Sequence, residues 1–183
     1  MLGVQAASPV RNRMTPAAIL AAAFPALVIV AAVKDATSFT IPNWISLALA
    51  AAFVPAAMFG GVELPTFGLH LAVGVGALVA GMVMFALRWI GGGDAKLFAA
   101  SGLWVGVGAF APFILATALA GGLLALFLVA LRAGPARAYL PVGPQWVERL
   151  REPDGPAPYG VAIAAGALVA FPYTALGGAF TGG

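Results

Sequence analysis

Long apolar runs separated by brief polar, glycine-rich or proline-rich breaks make up this chain. Residues 15–33 are the first run, about the length a membrane-spanning helix needs. Lys34 to Thr40 is a polar break, and Ile41-Pro42-Asn43 leads into the next run at 43–59. Pro42 suits a helix start, where the absent N–H has no partner to lose. Gly60, Gly61 and Pro65 mark a turn before the third run, 67–90. There Gly74, Gly76 and Gly81 would let helices approach closely. Gly91-Gly92-Gly93 then interrupts the pattern, and three glycines in a row predict that one helix stops and another starts at Asp94. The fourth run, 94–108, is short enough to need tilting or shielding. Its Gly102 and Gly106 have the spacing of a helix-packing pair. Runs at 112–131 and 159–176 come next, separated by the one long loop, 132–158, which is rich in proline and charge. Inside that loop, Trp146, Val147 and Leu150 predict the apolar face of a short interfacial helix, with Glu148, Arg149 and Arg151 opposite. The pattern predicts an all-α membrane protein, a polytopic bundle of about six transmembrane helices forming one domain over 1–183.

Composition supports that picture. The chain is 62% hydrophobic and 8% charged, against about 25% charged in an ordinary soluble domain. A signal-peptide reading of the first run fits less well, because it is longer than the roughly 7–15 residues of a signal core. The formal charge of +3 is small and scattered, and does not suggest nucleic acid. Its distribution bears on topology. Lys34, Arg88, Lys96, Arg132, Arg137, Arg149 and Arg151 fall on one side of the six-pass arrangement, and Arg11 and Arg13 on the other. The positive-inside rule makes the first side cytoplasmic. With no cysteine, disulfides, thiolate metal sites and a cysteine nucleophile are excluded. The single histidine, His70, excludes His-rich metal sites, so no metal and no cofactor is expected.

The candidate chemistry rests on acids. Glu63, Glu148, Glu152 and Asp154 fall in turns and loops where solvation explains them. Asp35 and Asp94 each flank an apolar helix, where a carboxylate is costly and functional by default. Two spans separate them, so both face the same side. Two carboxylates held close share one proton. The ionised one can take a proton from water while the protonated one polarises a peptide carbonyl and later protonates the leaving amine. That is aspartic-peptidase chemistry. A serine triad fails because His70 lies at the opposite membrane face. Lys34 and Lys96 neighbour the two acids and are expected to act on their charge.

Gly91-Gly92-Gly93-Asp94-Ala95-Lys96-Leu97 matches a GxGD motif and resembles the type IV prepilin peptidase family. Asp35 followed by Ile41-Pro42-Asn43 resembles that family's first aspartate motif, and Pro158-Tyr159-Gly160 resembles its third stretch. The resemblance implies a membrane aspartyl endopeptidase that removes the basic leader of a prepilin or pseudopilin at the cytoplasmic face of the bacterial inner membrane. Its catalytic pair maps onto Asp35 and Asp94. Gly91, Gly92, Gly93 and Lys96 belong to the active-site loop. Ile41, Pro42, Asn43, Pro158, Tyr159 and Gly160 lie on the substrate side. Larger members carry a CxxC zinc site and N-methylate the new terminus. This cysteine-free sequence looks like the small TadV/CpaA-type members of Flp pili, for which methylation is not expected. Ser38-Phe39-Thr40 stands where many relatives have basic residues. Two other readings compete: a small proton-coupled transporter, and a non-catalytic secretion-assembly subunit.

Overall fold

The structure, a computed structural model, describes residues 16–133 and 143–181. Thr15, Arg11, Arg13 and Arg137, which bear on the first span and on topology, lie outside the described residues. The described residues form a bundle of α-helices: α1 Pro16–Ala21, α2 Ala23–Ser38, α3 Asn43–Phe59, α4 Leu64–Ala86, α5 Gly92–Arg132, α6 Gln145–Arg151, α7 Tyr159–Ala170 and α8 Ala175–Thr181, with a single 3-10 turn at Phe171–Tyr173. Among the described residues, three stretches are long and apolar enough to cross a membrane, namely Pro16–Ser38, Leu64–Ala86 and Gly92–Arg132. Large side chains such as Met58, Leu64, Leu123 and Val129 are exposed around the bundle. A soluble protein would bury many of these; a bilayer solvates them.

The 41-residue α5 is two helices, because Gly106 breaks it with φ 61° and ψ −173°. On one straight helix, residues 98 and 113 would lie about 22 Å apart. Instead the rings of Phe98 and Phe113 stack with centroids 5.3 Å apart. The chain therefore doubles back at Gly106. The first arm, 92–105, packs along α4, and α7 crosses the second arm, 107–132. A glycine is required at the reversal for its left-handed φ. A Cβ on Gly106 would also lie 2.5–2.8 Å from the His70 ring. Gly106 is thus a turn residue as well as a packing residue, and both glycines of the expected pair face α4. Gly102 lies against Ala77 and Gly106 against His70.

Glycines on α4 behave unequally. Gly74 lies against Leu103 and Gly81 against Ala95, bringing α4 close to the first arm, whereas Gly76 faces open space. The core holds Phe24, Phe53, Trp104 and Phe113, all fully buried. Trp104 stacks on Phe24 and donates its indole N–H to Leu49 O at 2.8 Å. A buried indole needs that partner, and here it ties the first arm to α3.

Several boundaries differ from the sequence pattern for identifiable reasons. The helix before the glycine run ends at Ala86, not Ile90, and the glycines do not end it. Arg88 adopts φ 61°, with Arg88 N–H bonded to Phe85 O and Trp89 N–H to Met84 O. This is a Schellman-type ending made by a non-glycine residue. α2 continues past Val33 to Ser38 and stops where Phe39, at φ 53°, returns its N–H to Asp35 O. α4 starts at Leu64 instead of 67, and the last apolar run bends at Phe171–Tyr173. The predicted short helix is present as α6, but Arg151 is not on a solvated face. It is buried, with an ion pair to Glu148 at 3.0 Å.

Candidate active site

Asp35 sits in the last turn of α2, inside the helix and not in the polar break beyond it. Asp94 is the third residue of α5, which begins at Gly92 and not at Asp94. Its Oδ2 accepts the Gly91 N–H at 3.0 Å. The first amides of a helix have no carbonyl to bond within it, and a carboxylate in the third position satisfies one by reaching back. The same need recurs at α7. Gly160 lies in its first turn, and its N–H donates to Asp35 Oδ2 at 2.7 Å. Each aspartate therefore closes the N-terminus of a helix, Asp94 that of its own and Asp35 that of another.

These contacts bring the two acids together. Asp35 and Asp94 are 5% and 7% exposed, and share one neighbourhood: Ile41 packs on Gly93, beside Asp94, and on Gly160, which bonds Asp35. The second oxygen of Asp94, Oδ1, is buried with no hydrogen-bond partner. A buried oxygen with spare acceptor capacity is where a water or a substrate amide would be held.

The glycines act here through size. Gly91 has ordinary extended backbone, φ −74° and ψ 155°. At Gly93 an added Cβ would lie 3.0 Å from Ile41 Cβ and 3.3 Å from Ile41 O. At Gly160 it would lie 2.5 Å from Ile41 Cδ1 and 2.8 Å from Asp35 Oδ2. Ile41 is buried between these two glycines, wedged where α5 and α7 both begin. Pro42 then starts α3 in extended conformation.

Two expectations about neighbours change. Lys96 is turned to Asn43, donating to its Oδ1 at 2.8 Å, and neither aspartate has an ion pair among the described residues. Lys34 is exposed, and its carbonyl accepts the Ser38 hydroxyl at 2.7 Å. The expected action of these cations on the acids has no contact behind it. His70 lies away from the aspartates, where its Nδ1–H donates to Leu103 O at 2.7 Å beside the Gly106 reversal.

Apolar grooves flank the site. One of about 740 Å³ runs between α4, both arms of α5 and α7, with Ile90 and Tyr159 at its rim. Another, about 550 Å³, lies between α3, α4 and the first arm, with Asn43 and Lys96 at its rim. Neither is lined by the aspartates; Tyr159 on the first adjoins Gly160, and Lys96 on the second is two residues from Asp94. Pro158 is buried, while Tyr159 is exposed. Sequence reasoning places Gly160 on the substrate side and does not anticipate its amide contact to Asp35. A glycine just after Pro-x-Pro, at the start of an apolar run, is the available signal.

The model of the type IV leader peptidase family matches residues 22–126, more than half of the chain, including both aspartates and the glycine run. No curated protein matches, and no solved structure does. With its all-α, membrane-length architecture and that match, the chain belongs to the type IV leader peptidase family.

Proposed function

We propose that this chain is a membrane aspartyl endopeptidase that cuts the leader from a prepilin-type substrate, with Asp35 and Asp94 as the catalytic pair. The observation that carries this reading is that two carboxylates are buried in one neighbourhood, each capping a helix start that packs on Ile41, with the Gly160 amide bonded to Asp35. A purely structural pair of helix-closing acids would have no reason to be buried in one neighbourhood, because burying two like charges together is unfavourable.

In the reaction, one carboxylate takes a proton from a water held between the pair as the water oxygen attacks the scissile carbonyl carbon. The other, protonated, gives its proton to the carbonyl oxygen. The tetrahedral intermediate collapses as the C–N bond breaks. The amine leaves with the proton first taken from water, the hydroxyl proton returns to the second carboxyl, and a new carboxyl terminus remains. The pair works as a unit, and neither aspartate has a permanent role.

The topology accords with the same reading. The reversal at Gly106 supports counting two passes in 92–132, which makes six. The excess of basic residues near the aspartate end supports an orientation of that end toward the cytoplasm of a bacterial inner membrane. A substrate with a basic leader and an apolar helix then presents its scissile bond at the depth of the pair. Co-expression with candidate prepilins from the same genome, scored by gel mobility, tests the proposal. A shortened prepilin is expected, and unprocessed prepilin with every candidate would overturn it.

A further inference from the structure

Arg132 ends the second arm of α5, far in sequence from either aspartate. Its guanidinium makes three hydrogen bonds to main-chain carbonyls of one segment. Nε donates to Leu150 O at 3.0 Å, and Nη2 donates to Gly155 O at 2.9 Å and Pro156 O at 3.0 Å. A planar fork with several fixed donors is suited to gathering carbonyls this way, and a lysine is not.

The chain beyond Pro156 is stiff. Pro156 and Pro158 each fix φ, and each restricts the residue before it. Tyr159 N–H bonds to Ala157 O at 2.9 Å and Val161 N–H to Pro158 O at 3.2 Å, so the segment enters α7 without a free joint. Four residues after the carbonyl that Arg132 holds comes Gly160, whose amide meets Asp35. The axis of α7 is set elsewhere, by Gly166 packed on Phe113 and Thr117. Its first turn packs on Ile41 and Asp35 through Gly160, but its amides have no helical acceptor and depend on how the entering segment is held.

We propose that Arg132 is a positioning residue, holding the Gly155–Pro158 segment as a strut that keeps the Gly160 amide on Asp35. It touches neither the aspartates nor the reacting atoms. Its effect on cleavage rests on the peptidase reading proposed for the pair, whereas its effect on Gly160 does not.

The test compares hydrogen exchange with cleavage in full-length protein reconstituted in lipid nanodiscs. Arg132→Gln should speed exchange in a peptide covering 157–163 by about tenfold or more, leaving a peptide covering 91–97 as in the wild type. Turnover of a prepilin should fall on the order of tenfold with KM within about twofold, since misplacing a catalytic contact costs rate more than binding. Arg132→Lys should fall between the two. Pro156→Gly, which keeps the guanidinium and loosens the strut, should move both readouts in the same direction, and carries the test if Arg132→Gln does not accumulate. Unchanged exchange at 157–163 would overturn the inference, and so would equal loosening at 91–97. Faster exchange with wild-type turnover would overturn the link to catalysis while leaving the peptidase reading intact. If the wild type cleaves no prepilin, that reading fails and exchange alone still decides the role of Arg132.

Discussion

The two ends of the first arm of α5 solve the same problem differently. At each, a buried polar side chain meets backbone groups that a helix end leaves unpaired. At the Gly106 end, His70 gives its Nδ1–H to Leu103 O, and its ring lies between Phe53, at 5.2 Å, and Gly106. The result is a closed joint around a chain reversal. At the Gly91 end, the side chains are two acids, and one oxygen of Asp94 has no partner. The comparison separates a buried polar residue that completes a fold from one that retains capacity for chemistry.

Breaking the reversal should have the largest effect. Gly106→Val would force a β-branched residue into a left-handed φ and against the His70 ring. Loss of folded protein is expected, read as failure to accumulate in the membrane. Normal accumulation would mean that the arms do not depend on this turn. At the other end, Gly93→Val drives a side chain into Ile41, which separates the starts of α5 and α7. Here the protein should accumulate while prepilin cleavage falls by roughly a hundredfold. Cleavage near the wild-type rate would assign Gly93 to helix packing alone.

His70→Ala sharpens the contrast. It leaves the Leu103 carbonyl unpaired, which should cost about 1–3 kcal/mol of stability in a detergent melt. Cleavage per folded molecule should stay within about twofold of wild type. A large loss of turnover at unchanged stability would place chemistry at the closed end. The smallest effect is expected from Lys96→Gln, because Lys96 is exposed and bonded to Asn43 and not to an acid. Stability should shift by no more than about 0.5 kcal/mol, and turnover by no more than about twofold. A strong loss would restore a role for this cation.

Much of this contrast is legible in the sequence. The apolar runs are there, and so are two acids at the ends of runs on one side, one of them after a glycine break. The pattern does not carry where backbone hydrogen bonds go. Arg88 ends α4 because its left-handed φ allows the last carbonyls to be satisfied, and nothing in an arginine announces that. Spacing marks Gly106 as half of a packing pair but misses the reversal there, because spacing on a helix assumes the helix continues. Lys96 is near the acids in sequence, which suggests a pairing. On the helix, however, a residue two positions after Asp94 points elsewhere. The Gly160 amide and the Arg132 strut depend on contacts between distant segments, which local pattern does not encode.

The central claim is that Asp35 and Asp94 act together on one peptide bond. Asparagine keeps the shape and hydrogen-bonding reach of each side chain but cannot exchange the proton. The most direct measurement is therefore leader removal by purified Asp35→Asn and Asp94→Asn proteins, each shown to be folded by its melting curve. Each single variant should lose cleavage by at least about a thousandfold, and the double variant should be no worse than either alone, as expected for residues that act as one unit. Near-normal cleavage by either single variant would contradict it.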